Sequence, residues 1–278
     1  MRFAWLTTTL PLIALWLAGP SGCNALFGVD ELRYESAAAG GGAAGASGTG
    51  GRGGAGGEGG ALLGGGGAGD GGAGGSPAPA PKAITFQGNA AQNGLATSFS
   101  FNVVIGTPAP DRRVIVGIVM SQSGRDIAGV TVDGMPATIL GQITGDNAHT
   151  TGLAIAHVPD GTTADIVVQA SGSEGRAGIG VWSATGLTSD TPISLASSIA
   201  SKTKVTLSTT PGGFAVGMAG HVAPDVPSWL DLQQRFQDRV DGHSSRYTGA
   251  DDVTNGGSLD VEVTGLSDIR RGLVAASF

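Results

Sequence analysis

Cysteine is almost absent: Cys23 is the single thiol in 278 residues. An intrachain disulfide needs two and a thiolate metal cluster needs more, so both are excluded. Charged side chains make up only 13 %, and acids outnumber bases 22 to 15 for a formal net charge of −7. A chain so poor in Lys and Arg has no basic face for a phosphate backbone, which argues against nucleic acid as a partner. Aromatics are only 5 %, so any core must be built mainly from aliphatic side chains. Also missing are a Gly-x-Ser-x-Gly nucleophile elbow and a His-x-x-x-His metal pair. These gaps leave catalysis without a recognisable motif and favour binding or surface structure.

What is present divides into three stretches: 1–22, 23–81 and 82–278. Met1 and Arg2 form a short positive start, and residues 3–17 (FAWLTTTLPLIALWL) are largely apolar. That run is shorter than the ~20 apolar residues a membrane span requires, and three threonines and Pro11 interrupt it. A charged start, an apolar run and small residues ahead of a cut site predict a cleaved secretory signal peptide.

Ser21 and Gly22 directly before Cys23 resemble the lipobox of bacterial lipoproteins, with Pro20 where an aliphatic residue is usual. The resemblance implies diacylglyceryl transfer to the Cys23 thiol, cleavage before it and acylation of the new amino group. Several acyl chains at about 0.8 kcal/mol per buried methylene hold a protein on a membrane, whereas one chain is marginal. Asn24 rather than Asp after the cysteine points, within that resemblance, to the outer membrane of the cell envelope.

Residues 40–75 contain 22 glycines in 36 positions. Glycine pairs and the quartet 64–67 break any Gly-x-y register, and proline first enters the tract at Pro77, so collagen is excluded. Too few apolar groups remain to offset the ordering entropy, which predicts a disordered, flexible linker. From residue 36 to residue 81 its root-mean-square span is roughly 35–40 Å for a Gly-rich coil. Ser76 to Pro81 (SPAPAP) then stiffens the chain before the folded part.

From Lys82 the hydrophobic period becomes two. Leu95, Phe99, Phe101, Val103 and Ile105 share one face of a predicted strand, and residues 112–120 (RRVIVGIVM) are apolar on both faces. Residues 130–140 (VTVDGMPATIL) read as a hairpin around Asp133-Gly134. Further short strands are expected at 153–158, 165–170, 178–184, 205–209, 214–220, 259–263 and 272–278, separated by turn signals such as Thr210-Pro211-Gly212-Gly213. Residues 228–240 are the one segment with helical spacing (Trp229, Leu232, Phe236, Val240); a strand with a loop is its competitor. The expectation is a single all-β antiparallel sandwich. Residues 130–140, Val158-Pro159-Asp160-Gly161-Thr162 and GIGVWSATGL are similar to uncharacterised sandwich domains of bacterial exported and phage-associated proteins. That resemblance implies a jelly-roll or immunoglobulin-like core and no particular activity.

Candidate sites follow from residue chemistry. Trp229 and Tyr247 are aromatics outside the expected core strands, suited to stacking on a sugar face of a polysaccharide. Asp238, Asp241, Asp251 and Asp252 concentrate oxygen ligands of the kind Ca2+ takes. Asp260 and Glu262 lie on one side of an alternating strand, some 7 Å apart by strand rise, within the span of a glycosidase acid pair. The same pattern describes a plain solvated strand face. His149, His157, His221 and His243 have no ligand spacing in sequence. The functional expectation is a lipid-anchored envelope protein displaying a sandwich that binds polysaccharide or a surface protein. A surface glycan hydrolase and a purely structural role are the alternatives.

Overall fold

The computed structural model describes residues 81–121, 124–145, 149–200, 203–222, 226–240, 244–266 and 271–278. Cys23, the expected signal peptide and the Gly-rich stretch lie outside them, as do Asp241 and His243. The described chain is all-β, and every strand pairing is antiparallel. One sheet contains β1 (Ala83–Val104), β2 (Arg113–Ser121), β3 (Ile127–Val132), β4 (Met135–Pro136), β5 (Thr138–Gly145), β6 (His149–His157) and β7 (Thr163–Thr185). Its order is β4-β3-β7-β2-β6-β5, with β1 also on β7. The second contains β8 (Ser194–Ser198), β9 (Thr203–Val222), β10 (Ser228–Leu230), β11 (Gln233–Arg239), β12 (Ser245–Thr264) and β13 (Gly272–Ser277). Here the order is β10-β12-β9-β13-β8, with β11 also on β12.

The strands are longer than the sequence suggests. The expected separate strands at 165–170 and 178–184 are parts of one 23-residue strand, β7, and those at 205–209 and 214–220 are both in β9. Turn-forming residues bend these strands without ending them, because the partner bends alongside. β1 follows β7 from Ala83↔Thr185 to Val104↔Thr163 with register shifts between Asn93 and Ser98. β12 follows β9 with a shift between Thr254 and Asn255. Each pair thereby folds back over the outside of its own sheet, and bulges supply the bend.

Three apolar layers result. β2 shows the logic: Val114, Val116, Ile118 and Met120 face an outer layer, while Ile115 and Val119 face a central one. The outer layer of the first sheet encloses Ile166 and Val168 from one arm of β7 against Ile179 and Val181 from the other. The central layer lies between the sheets and holds Trp182, Phe214, Met218, Phe236, Tyr247 and Phe278. An outer layer on the second sheet packs Val205 and Leu207 of one β9 arm over Ala215 and Ala219 of the other. Burying each such Val, Ile or Leu contributes about 1.5–3 kcal/mol. The both-faces-apolar reading of residues 112–120 holds; Leu95, expected to face the core, is 72 % exposed beside the β1 bend.

The Asp133-Gly134 turn forms as expected, with φ of 52° and 76° and Val132 paired to Met135. Two left-handed residues in succession are what a two-residue hairpin matching the strand twist needs. Its second arm is brief: β4 ends at Pro136, and Thr138 to Gly145 pair with β6 instead of β3. Residues 228–240 resolve into β10 and β11. Trp229, Leu232, Phe236 and Val240 are all buried, as a helical face would require, but Asp231 takes φ 68° and turns the chain between two short strands.

Arg112 is fully buried and is satisfied by backbone carbonyls. Its Nε donates to Val158 O at 2.7 Å and its Nη1 to Gly106 O at 2.8 Å, while Nη2 reaches Asp160 O. Burial lowers its pKa, against a smaller opposing pull from the Asp160 carboxylate. The guanidinium thus ties two loops at one end of the sandwich.

Candidate functional site

The two aromatics expected to meet a sugar are interior. Trp229 is 6 % exposed, and its Nε1 donates to Thr248 Oγ1 at 3.0 Å. Its ring lies over Gly217, where a Cβ would sit 2.6 Å from the indole. Tyr247 has no exposed surface; its ring meets Phe236 edge-on at 5.5 Å, and its hydroxyl accepts from Asn89 Nδ2 at 3.2 Å. Neither ring has a face open for stacking. The reason is local: glycines on neighbouring strands leave ring-sized recesses, and burying an aromatic there is worth more than leaving it wet.

The acids expected to gather around Ca2+ diverge. Asp251 and Asp252 are consecutive on β12, so they point to opposite faces. Asp251 is fully buried and accepts from Arg235 Nε and Nη2, each at 2.7 Å, and from Trp182 Nε1 at 2.8 Å. This bidentate pair raises the Arg235 pKa, with the Asp251 hydrogen bond as the leading cause. Trp182 belongs to the first sheet and the ion pair to the second, so the three residues join the sheets through polar bonds. Asp238 accepts from Asn89 at 3.0 Å and from the Arg239 amide at 2.7 Å. Asp252 is exposed, and its Oδ1 accepts from the Val253 amide at 2.8 Å. Among the described residues no group of three or more His, Cys, Asp or Glu converges as a metal site.

Asp260 accepts from Lys204 Nζ at 2.7 Å and Thr206 Oγ1 at 2.6 Å across the β9–β12 pair. The Lys204 bond, then the Thr206 bond, hold its carboxyl below the usual range. A general acid in glycoside cleavage needs the opposite shift, so Asp260 is poorly suited to that role. His149 and His221 are buried on different sheets, and His157 Nε2 lies 2.8 Å from Pro110 O.

A concave feature that sequence reading misses is a cleft of about 270 Å3 at the bend of β9 and β12. Gly212, Gly256 and Gly257 take positive φ there and let both strands turn together. Thr254 Oγ1 donates to Thr210 O at 2.9 Å, and Thr209 Oγ1 to Gly257 O at 3.2 Å, fixing the corner. The walls carry Asp231, Asp252, Asn255, Thr209 and Ser258, with Val253 and Leu259 between them. Val253 is 62 % exposed. Carboxylates, an amide and hydroxyls around a small aliphatic surface match a polyhydroxylated ligand, whose OH groups need both donors and acceptors while its CH face needs apolar contact. The sequence signal is the pair of strings Thr-Pro-Gly-Gly and Asn-Gly-Gly, which in isolation reads as two ordinary turns.

No family model, curated protein or solved structure matches the chain. The fold therefore defines its class as an all-β antiparallel sandwich, and the bend cleft is the place to look for its activity.

Proposed function

We propose that this chain is a lipid-anchored protein of the bacterial cell envelope, displaying its sandwich as a module that binds surface polysaccharide. In this reading residues 1–22 are removed, Cys23 carries the acyl chains, and residues 24–81 hold the module away from an outer membrane. The observation that carries the binding role is the bend cleft, where Asp231, Asp252 and Asn255 surround exposed Val253. Its composition suits hydroxyl-rich ligands.

A glycan array probed with the full-length chain, together with a reducing-sugar assay, tests the reading. Binding to a defined glycan set that falls at least tenfold in Asp252→Ala and Asn255→Ala, with no sugar release, supports it. Sugar release abolished by Glu262→Gln replaces it with the hydrolase alternative. Retention of a surface protein but no glycan moves the ligand class to protein, and neither binding nor turnover leaves a structural role.

A further inference from the structure

A sheet edge offers unpaired backbone groups, and most edges of this protein are blunted in recognisable ways. β4 has only two residues and ends on Pro136, and β10 has three. β11 carries Arg235, Asp238 and Arg239. Register shifts break β1 and β5, the latter between Ile139 and Gly141. β8 has none of these devices. It ends the order of the second sheet, pairs with β13 in unbroken register, and contains no charge and no proline. Among the described residues it has a strand partner on one side only. The whole stretch 191–200 (TPISLASSIA) is uncharged, and Ile193, Leu195 and Ile199 are 47 %, 40 % and 45 % exposed. Their even spacing puts them on one face of the strand, together with exposed Ser197.

The backbone groups that face outward follow from the pairing of the next strand. Phe278 exchanges both its backbone bonds with Phe214 on β9, at 2.9 and 3.2 Å. Such groups alternate sides along a strand, so Ser277, Ala275 and Leu273 turn theirs toward β8, opposite Ser194, Ala196 and Ser198. The N–H and C=O of Leu195 and Ser197 therefore point to the outer side.

We propose that this edge joins a second copy of the chain, β8 against β8, antiparallel about a two-fold axis at Ala196. The sequence is self-complementary in that register, as a two-fold contact requires. Ile193 falls opposite Ile199 of the second copy, Ser194 opposite Ser198 and Leu195 opposite Ser197, and each pairing occurs twice. Leu195 and Ser197 are the residues whose backbone faces outward, so each exchanges two N–H to C=O bonds with its counterpart. The two Ile193–Ile199 pairs lie on the exposed apolar face and cover it from water. Charge favours the same place. Each copy has a net charge of −7, yet the stretches brought together carry none, so no like charges are desolvated. An unrelated extended peptide would gain the backbone bonds without this match at both ends. The second sheets of the two copies become one continuous sheet, and neither the bend cleft nor Cys23 is involved.

Sedimentation velocity of the full-length chain over a concentration series tests this, in a large excess of detergent micelles so that copies do not share one. A monomer–dimer equilibrium is expected, closing at two because each copy has one β8 edge. Ser197→Pro removes an outward N–H from each copy and is expected to weaken the dimer about tenfold or more. Ile199→Glu, at an exposed position, sets a carboxylate against Ile193 of the second copy and is expected to weaken it about tenfold. The double variant I193K/I199E is expected to recover most of that loss, because each introduced lysine faces an introduced glutamate across the axis. Within one copy the two positions are roughly 20 Å apart and do not pair. A chain that stays monomeric throughout the series, or one that grows beyond a dimer, overturns the proposal. So does a dimer unmoved by Ile199→Glu, or one that the double variant fails to restore. These two variants decide the matter even where Ser197→Pro does not fold.

Discussion

The outer layer of the first sheet and the central layer are built by different rules. In the outer layer of the first sheet, Val, Ile and Ala from two arms of one bent strand pair face each other, with Phe99 and Phe101 among them. Backbone pairing along β1 and β7 already fixes how those arms lie. The central layer joins two sheets that share no strand pairing, so side chains alone must set their register. There the rings of Phe86, Trp182, Phe236 and Tyr247 contact one another, and Phe214 meets Phe278. Rings seated over glycines give shape, and the Asp251–Arg235–Trp182 bonds give direction. Aliphatic filling dominates the outer layer of the first sheet, where backbone pairing specifies geometry; interlocking rings and directional polar bonds dominate the central layer, and Trp229 over Gly217 is the one such ring on the outer side of the second sheet.

The largest effect that separates the two regions is expected from Asp251→Ala. It leaves Trp182 Nε1 and the Arg235 guanidinium without their acceptor, a loss of about 3 kcal/mol, at the low end for a buried pair because the Arg235 side chain is 30 % exposed. Urea melts should show that loss and a partial recovery when Arg235→Met accompanies Asp251→Leu, since an apolar pair removes the stranded charge. A cost below about 1 kcal/mol for Asp251→Ala would mean that the polar link does not hold the sheets. Next comes Gly180→Val: a Cβ at Gly180 would sit 2.6 Å from the Phe236 ring. Overpacking of this kind costs about 1–3 kcal/mol by the same melts. In the outer layer, Ile118→Val removes one methylene from an aliphatic wall and should cost about 0.5–1.5 kcal/mol.

The smallest effect is electrostatic and lies on the surface. The Asp260 carboxyl is lowered in the folded state, so its contribution is present above the unfolded carboxylate pKa and is lost as pH falls through the folded one. Melting temperatures of the native chain and Asp260→Asn should differ slightly at neutral pH and converge in acid. Exposed pairs are screened by solvent, so a large difference at neutral pH would contradict the surface placement.

Much of this architecture is legible in the residues. Residues 112–120 announce a strand covered on both sides, and Asp133-Gly134 announces its hairpin, because both signals are local. The continuity of β7 and β9 is not, since a bend followed by its partner uses the same Gly, Ser and Thr that end a strand. Trp229 and Tyr247 look available in sequence because the glycine recess that receives Trp229 is on another strand, and Tyr247 packs on the distant Phe236 and Asn89. The acids at 251 and 252 look like neighbours, yet alternation sends one inward to Arg235 and the other to the cleft. The cleft is not legible for the same reason: it assembles from segments whose pairing only the fold reveals.

The functional proposal joins this body to a chemical anchor at Cys23. Intact mass spectrometry of the mature chain, purified from cell membranes, is its most direct test. The account expects a polypeptide starting at Cys23 with acyl mass on that residue, and loss of membrane association in Cys23→Ser. An unacylated chain, equally abundant in membranes when Cys23 is Ser, would contradict it.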